Sequence, residues 1–262
     1  MLSSSIMQIL VREHLSHPED GFGLQQAVLE GVAANERGPT ALLWTSSAYI
    51  GATRPETRLP GFDEAVDLAE GVGFRVLVRN SGGGAVAANE GSISFSLTFP
   101  VEDVRHGLYE RYSEGVDLVV SALRKLGVSA QAGEVEGEFC PGAYSVRIDG
   151  YYGTKIAGLA QRVTRRAARV EALILVSKTG ELKRILKLFY SSLGLPFRSE
   201  SVSDLPGTDV PQAIKALVEA VQERYHEPLE TKVDERILQR AIDLRESWRA
   251  TPGFFGSISG HP

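Results

Sequence analysis

The sequence predicts an α+β fold in which a mixed β-sheet is flanked by helices, with a helical extension at its C-terminal side. Strand-like and helical segments are interspersed without the strict β-α-β alternation of a doubly wound sheet. From residue 181 onward the pattern is helical, with joints rich in Gly, Pro and Ser. We therefore expect a core over residues 1–180 and an extension over residues 181–262 packed on the same domain. The last eleven residues or so are expected to form a loose tail.

Helices are predicted wherever apolar residues recur every three to four positions. The longest such segment, residues 104–126, is followed by Gly127, a residue that commonly ends helices. The predicted helices are residues 21–34, 63–70, 104–126, 181–193, 210–225 and 234–249.

Strands are predicted from alternation of apolar and polar residues or from short apolar runs. Residues 92–99 alternate almost perfectly. The predicted strands are residues 41–44, 74–79, 92–99, 128–135, 144–148, 155–163 and 170–176.

Composition excludes several classes of protein. Twenty-eight basic and 33 acidic side chains give a net charge of −5, which argues against a protein that depends on non-specific nucleic-acid contacts. No apolar run approaches the roughly 20 residues of a membrane-spanning helix, and the start of the chain does not resemble a signal peptide. The single cysteine excludes an internal disulfide and a Cys-rich zinc site, and the five histidines show no metal-binding spacing. We expect a cytoplasmic protein with no membrane partner, no nucleic-acid partner and no metal.

A glycine-rich segment, Arg79-Asn-Ser-Gly-Gly-Gly-Ala85, lies between two predicted strands. It lacks the strand-to-helix context of a dinucleotide-binding fingerprint and the Gly-Lys-Ser/Thr ending of a P-loop. Three glycines allow backbone amides to approach a ligand closely, or permit positive φ angles in a tight turn. Both interpretations remain open at this point.

The only cysteine, Cys140, lies in Gly137-Glu-Phe-Cys-Pro-Gly142, where the Pro-Gly pair predicts a turn that presents the thiol. The alternative is a buried structural thiol. Three nearby acids, at positions 134, 136 and 138, disfavour a thiolate unless a cation compensates. The candidate cation is Lys155 in Thr154-Lys-Ile-Ala-Gly158, which is either a surface lysine or a partly buried charge that faces a site.

Six basic residues and one acid lie between positions 147 and 169, a local charge of +5. This basic segment is either an ordinary solvated surface or a docking surface for an acidic partner. The basic residues are Arg147, Lys155, Arg162, Arg165, Arg166 and Arg169.

The glycine-rich segment and Lys155-Ile-Ala-Gly158, in this order, resemble the substrate loop and the lysine motif of the biotin/lipoate protein ligase superfamily. Within it, the cysteine loop 137–144 and the run 157–162, with residues 57–60, 75–83 and 89–94, are similar to one branch. That branch is the cysteine-dependent octanoyl-[glycine cleavage system H protein]:protein N-octanoyltransferases, which are amidotransferases of lipoate assembly. The resemblance extends over roughly residues 20–195.

The resemblance implies the superfamily's fold and a covalent mechanism with Cys140 and Lys155 as catalytic residues. Cys140 takes an octanoyl or lipoyl group from a lysine of the H protein as a thioester and passes it to a lysine of an E2 lipoyl domain of an oxoacid dehydrogenase. Both protein substrates are expected to be acidic near the target lysine, and neither ATP nor another cofactor is implied. The residues implied in substrate binding are Arg79, Ser81, Gly82, Gly83, Gly84, Ala85, Val86 and Gly158.

Three features depart from the branch's pattern. Ser145 replaces an acid or asparagine, the turn 149–154 is longer than expected, and Gly84 replaces a larger residue found in some relatives. Other functions also remain. The thiol could take octanoyl from acyl carrier protein and deliver it to the H protein. An ATP-dependent lipoate ligase would need no cysteine, and an acyl-lysine-binding scaffold would need neither Cys140 nor Lys155.

Overall fold

The structure is a computed structural model that describes residues 6–149, 153–226 and 228–250. Three sequence predictions fall wholly or partly outside these residues: the C-terminal tail, the middle of the long turn at 150–152, and the start of the chain at 1–5. Within the described residues the chain forms the predicted mixed sheet flanked by helices.

The described residues form eleven strands and six α-helices. The strands are β1 (Gln8–Leu15), β2 (Thr40–Ser46), β3 (Tyr49–Thr53), β4 (Arg75–Arg79), β5 (Val86–Ala88), β6 (Ser92–Pro100), β7 (Gln131–Ala132), β8 (Val146–Ile148), β9 (Thr154–Val163), β10 (Ala167–Leu175) and β11 (Leu229–Glu230). The helices are α1 (Pro18–Ala33), α2 (Phe62–Gly71), α3 (Leu108–Lys125), α4 (Thr179–Ser192), α5 (Val210–Tyr225) and α6 (Glu235–Asp243).

The strands build two sheets. The large sheet has the order β11-β1-β2-β6-β10-β9-β8-β7, and the small sheet has the order β4-β3-β5. In the large sheet β1 pairs in parallel with β2 and β11, whereas the pairs from β2 through β6, β10 and β9 to β8 are antiparallel. The sheet is therefore mixed, as the irregular order of predicted elements indicated.

Two hydrophobic clusters cover the two faces of the large sheet. One contains residues of α3 and α5 together with Ile93, Phe95 and Leu97 of β6. The other contains residues of α1, α2 and α4 together with the small sheet. Strand β6 is buried from Ser92 to Thr98, and its small polar residues alternate with its large apolar ones. The candidate site lies on the second face, between β9 and β10 of the large sheet and the small sheet.

The predicted elements differ from the structure mainly in the short strands. The sequence analysis did not predict β1, β3, β5 or β11. The strand predicted over residues 128–135 is reduced to β7, and the helix predicted over 234–249 ends at Asp243, followed by a 3₁₀ turn at Arg245–Trp248. Strands of two or three residues, such as β5, β7 and β11, leave almost no periodic signal, because only pairing with distant strands defines them. β1 has eight residues, but four consecutive ones are exposed, and β3 is buried throughout, so neither shows the alternation of a half-buried strand.

The C-terminal part of the described chain is attached to the core by a buried carboxylate. Glu19 on α1 is fully buried and accepts hydrogen bonds of 2.8 Å from both Arg75 of β4 and Arg249. Beside this contact, the Ala250 backbone N–H donates to the Val76 carbonyl oxygen at 3.0 Å. Burial alone raises the pKa of the Glu19 carboxyl, but the two guanidiniums outweigh it and hold that pKa below its ordinary value.

None of the described helices is long and apolar enough to cross a membrane.

We predict that Glu19→Gln lowers the free energy of unfolding by about 1 to 3 kcal/mol at pH 7, because two charge-assisted hydrogen bonds are weakened. A carboxyl whose folded pKa is depressed stabilises the fold above its unfolded pKa, and that stabilisation is lost as pH falls. The difference in unfolding free energy between wild type and variant, measured by urea unfolding, should therefore be full at pH 7 and shrink as the pH falls below 4.5, the ordinary pKa of a glutamate carboxyl.

Glu246→Gln is the matched control, because Glu246 is exposed and its carboxylate binds Nη1 of Arg249, whereas Glu19 binds Nε of the same guanidinium. It should change the stability by less than about 0.5 kcal/mol. Equal losses in the two variants would contradict the role given to Glu19.

Candidate active site

The glycine-rich segment forms a loop between β4 and β5 of the small sheet. Arg79 ends β4, Ser81 through Gly84 form the loop, and Val86 begins β5. Gly83 has a φ of +97°, a backbone conformation that favours glycine. A Cβ atom built on Gly83 would lie 2.5 Å from the Cys140 Sγ. The loop therefore meets the cysteine directly, and the absence of a side chain at Gly83 permits the contact.

Cys140 lies in the loop that connects β7 to β8 and is partly exposed. Its φ of +44° is uncommon for a residue with a side chain. The Gly84 N–H donates to Sγ at 3.1 Å, and Arg79 Nη2 donates to it at 3.4 Å. The thiol thus accepts from a backbone amide and a guanidinium, an arrangement that suits a sulfur carrying negative charge.

Lys155, on β9, is fully buried beneath the cysteine loop. Its Nζ donates to the carbonyl oxygens of Phe139 at 2.8 Å and of Cys140 at 3.0 Å, and it lies 3.4 Å from Glu138 Oε2. Three acceptors match the three N–H groups of an ammonium. The ammonium contacts the backbone around Cys140, and it also lies 4.5 Å from the centre of the Phe139 ring.

Glu138 and Lys155 form a buried ion pair. Burial raises the pKa of the Glu138 carboxyl and lowers the pKa of Lys155, while the opposite charge of each partner resists both changes. The second oxygen of Glu138 accepts from the Ser145 hydroxyl at 2.8 Å and the Gly142 N–H at 3.2 Å. Ser145, one of the departures noted in the sequence, therefore has a defined contact here.

A polar network supports Arg79 from the side of the large sheet. Arg79 donates to the Gly84 carbonyl oxygen at 2.7 Å and to the Ser81 hydroxyl at 3.2 Å. Ser81 donates to Glu171 of β10, which also accepts from Arg169 at 2.7 Å. Burial alone raises the pKa of Glu171, but Arg169, Arg79 and Ser81 outweigh it and keep that pKa below its ordinary value. The carboxylate stays charged and orients the guanidinium of Arg79.

Two buried side chains hold Ala85, the residue after the last glycine. The Ala85 N–H donates to Glu56 Oε1 at 2.7 Å, and the Ala85 carbonyl oxygen accepts from the Tyr190 hydroxyl at 2.8 Å. Glu56 also accepts from the backbone and the hydroxyl of Thr53, both at 2.8 Å. Burial raises the pKa of Tyr190, so its hydroxyl remains a donor at neutral pH.

Cys140 and Lys155 border a narrow cavity of about 50 Å³. Ligand pockets usually measure roughly 300–1,000 Å³, so an acyl chain that enters here must displace side chains. A larger cavity of about 1,080 Å³ lies near residues 54–64 and 244–250 and borders neither catalytic candidate. The narrow cavity is lined by Phe22, Gln25, Trp44, Tyr49, Arg79, Val86, Ser94, Phe139, Cys140, Lys155, Gly158, Leu159, Ala160, Glu171, Ala172 and Leu173.

The structure brings Cys140, Lys155 and Gly158 together with most of the glycine-rich segment 79–86. Gly158 packs on Lys155, since a Cβ built there would lie 2.8 Å from the lysine Cε. Gly82 is exposed and has nothing within 4 Å of such an atom, so of the three glycines it has the least contact with the site. In the described residues, no group of three or more His, Cys, Asp and Glu side chains could hold a metal ion.

The structure excludes part of the basic segment 147–169 from any docking surface. Lys155 and Arg169 are buried and belong to the site, so they cannot form part of a docking surface. Arg162 donates to the Asn80 carbonyl oxygen at 3.0 Å. Only Arg165 and Arg166, in the turn between β9 and β10, are fully exposed. Sequence spacing could not separate these groups, because the strand alternation that buries them depends on what covers each face.

The site also contains three residues that no sequence motif indicated: Glu56, Glu171 and Tyr190. Glu171 had a visible signal, because it is a lone acid in the apolar strand β10. Glu56 and Tyr190 had none, since they meet the loop across 29 and 105 positions of the chain.

We predict that Gly83→Ala destabilises the protein by about 1 to 3 kcal/mol, because the new methyl group overlaps Sγ and the positive φ is unfavourable for alanine. Gly82→Ala, one position away in open space, should stay within about 0.5 kcal/mol of wild type. Urea unfolding measures both. Equal stability of the two variants would contradict the contact between Gly83 and Cys140.

Comparison with known proteins gives the family. The family model described as the lipoyl protein ligase A/B catalytic domain matches residues 17–222. An octanoyl-[GcvH]:protein N-octanoyltransferase of Bacillus velezensis is 33% identical over 175 residues, which are 66% of this chain and 60% of the relative. The corresponding protein of Geobacillus kaustophilus is 30% identical over 173 residues, with the same coverage of 66% and 60%. The matched segment thus spans about three fifths of each relative's length.

Among solved structures, lipoate-protein ligase A bound with ATP is similar with a TM-score of 0.74 and 19% identity, over 92% of this chain and 94% of that one. At this identity the likeness concerns the fold alone, and it confirms the predicted ligase-like architecture. Because the family model covers most of the sequence, the chain belongs to the lipoyl protein ligase A/B catalytic domain family.

Proposed function

We propose that the protein is an acyltransferase that moves an octanoyl or lipoyl group between lysine side chains of two proteins through a thioester on Cys140. The donor is the octanoyl-lysine of the glycine cleavage H protein, and the acceptor is a lysine of an E2 lipoyl domain. The names of the relatives support the acyl group and the donor. The observation that carries the proposal is the placement of the Cys140 thiol against the Gly84 amide, above the buried Lys155.

The first step forms the thioester. The Cys140 sulfur attacks the carbonyl carbon of the donor amide, the C–N bond breaks, and the thiol proton leaves on the released lysine amine. Negative charge develops on the carbonyl oxygen during the attack, and backbone N–H groups beside the nucleophile are the usual means of stabilising it. Gly84 supplies such a group at 3.1 Å from Sγ, with the charge of Arg79 behind it.

The second step transfers the acyl group. A deprotonated lysine of the acceptor attacks the thioester carbon, the C–S bond breaks, and the thiol is regenerated as the amine proton returns to sulfur. One amide is broken and one is formed, so the exchange needs no ATP. Splitting the exchange into two acyl transfers is the advantage of a covalent nucleophile.

A basic surface would help both substrates to bind. Arg165 and Arg166 are exposed in the β9–β10 turn, and Arg162 lies next to them beside Asn80 of the glycine loop. An acidic partner near these arginines would place its lysine close to the loop that contacts Cys140. Charge complementarity of this kind mainly raises the rate of association.

The test is intact-mass measurement after incubation with octanoyl-H protein or with octanoyl-acyl carrier protein, in separate tubes and without ATP. We predict an increase of about 126 Da with the H protein, the mass of an octanoyl group that replaces a proton. Cys140→Ser, which is nearly isosteric, should remove the stable adduct and abolish transfer to a lipoyl domain while the protein stays folded.

Loading only from the carrier protein would show that the donor is wrong. Transfer that needs ATP and proceeds in Cys140→Ser would show a ligase. Tight binding of the acylated H protein with neither loading nor transfer would show a scaffold.

We further predict that Lys155→Ala lowers the transfer rate by a factor of 100 or more, because it frees the carbonyls of Phe139 and Cys140 and removes the buried positive charge. It also leaves Glu138 buried without its cation, which is strongly destabilising. The double variant Lys155→Ala/Glu138→Gln should regain stability without regaining activity.

The control is Lys187→Ala, which changes an exposed lysine of α4 and should leave the rate unchanged. Recovery of the transfer rate in the double variant would restrict Lys155 to a purely structural role.

A further inference from the structure

One hydroxyl group joins the two loops of the site. Tyr190, on α4, is 4% exposed, and its hydroxyl donates to the Ala85 carbonyl oxygen at 2.8 Å. The Tyr190 hydroxyl oxygen in turn accepts a hydrogen bond from the Cys140 backbone N–H at 2.8 Å. Both hydrogen bonds are made by one hydroxyl group, so the distance between the glycine loop and the cysteine loop is set partly by Tyr190.

The Gly84 amide, which donates to the Cys140 thiol, lies directly beside these hydrogen bonds of Tyr190. Gly84 precedes Ala85, and its N–H reaches Sγ at 3.1 Å. A Cβ built on Gly84 would lie 3.3 Å from the Tyr190 hydroxyl and 3.5 Å from the Cys140 Cα. The Tyr190 hydroxyl and the Cys140 backbone are thus close neighbours of Gly84, and a shift of either loop changes the distance between the Gly84 amide and the sulfur.

The backbone of Cys140 needs an external restraint. A left-handed conformation at a residue other than glycine costs on the order of 1 kcal/mol or more, and it persists where surrounding contacts hold it. The described contacts that hold the Cys140 backbone are Tyr190 at its N–H and Lys155 at its carbonyl oxygen. Of these two, only Tyr190 also touches the glycine loop.

The hydrogen bonds of Tyr190 to the two loops have a chemical consequence. In many acyl-transfer sites the nucleophile's own N–H helps to stabilise the oxyanion. Here the Cys140 N–H is occupied by Tyr190, so it points to the hydroxyl and not to the substrate. The backbone amide that remains beside the thiol is that of Gly84. Stabilisation of the oxyanion then depends on the position of this one amide relative to Sγ.

We propose that Tyr190 is a positioning residue for thioester formation: by binding Ala85 and Cys140 through one oxygen, it keeps the Gly84 N–H where it stabilises the oxyanion. This inference rests on the proposed acyl transfer. Tyr190 acts through the two backbones that its hydroxyl binds.

The test is Tyr190→Phe, which removes a single oxygen atom. Thioester formation is followed by intact mass in single-turnover experiments over a range of octanoyl-H protein concentrations. We expect the maximal loading rate to fall 10- to 100-fold, less than the 100- to 1,000-fold typical for removal of an oxyanion donor itself. The half-saturating donor concentration should stay within twofold of wild type, because the surface that binds the donor is unchanged.

Tyr225→Phe is the matched control. Tyr225, on α5, donates its hydroxyl to Glu114 at 2.6 Å on the other face of the large sheet. It therefore loses a buried hydrogen bond without touching either loop. Its loading rate should equal that of wild type even if its thermal stability falls as much as that of Tyr190→Phe.

Hydrogen exchange gives a second readout that needs no activity. In Tyr190→Phe, the peptides covering residues 82–88 and 137–143 should both lose protection from exchange. In Tyr225→Phe, both peptides should keep it. Unchanged protection of both peptides, or a loading rate within twofold of wild type, overturns the inference. If wild type itself is not loaded, the proposed function is wrong, and the exchange result alone decides whether Tyr190 joins the loops.

Discussion

The arrangement of the site depends on a lysine ammonium buried in the protein interior. Removing such a charge from water is costly unless its hydrogen bonds are replaced, and Lys155 replaces them with two carbonyl oxygens of the cysteine loop and the Glu138 carboxylate. The loop must therefore fold over the lysine in one way. Because the acceptors include the carbonyl oxygen of Cys140 itself, the hydrogen bonds that satisfy the ammonium also hold the backbone of Cys140. Stability and placement of the thiol arise from the same contacts.

The glycine loop is held by a second set of buried polar contacts that does not involve Lys155. Arg79 binds the Gly84 carbonyl oxygen, Glu56 binds the Ala85 N–H, and Glu171 orients Arg79 from the large sheet. Glu171 is balanced by the guanidiniums of Arg169 and Arg79, and Glu56 accepts from the Ala85 N–H and from the backbone and hydroxyl of Thr53. The groups that face the thiol directly are an amide and a guanidinium.

The sequence predicted those parts of the fold whose signals are local. Helix α5 has the predicted bounds, and the alternation in β6 placed a strand where the structure has one. The glycine loop, Cys140 and Lys155 were found through motifs, but their mutual contacts were not, because hydrogen bonds across 15, 56 or 61 positions leave no spacing to detect. Tyr190 shows the limit most clearly: in α4 it occupies an ordinary apolar position of an amphipathic helix, and only the packed structure shows its hydroxyl between two loops.

The position of Tyr190 also bears on how the chain is organised. The division at residue 180 was made where the pattern becomes helical, and it stays a prediction. Helix α4, just beyond it, places Leu182, Ile185 and Phe189 in the same hydrophobic cluster as the small sheet. It also contacts α2 and β5, the strand that follows the glycine loop. Because α4 packs in the core beside the glycine loop and also binds that loop through Tyr190, it cannot move independently of the loop. We infer that α4 functions with the core, and the segment after it contacts the site as well: Phe197 packs against the rings of Phe139 and Tyr190, and the Arg198 N–H donates to the Gly137 carbonyl oxygen at 2.8 Å.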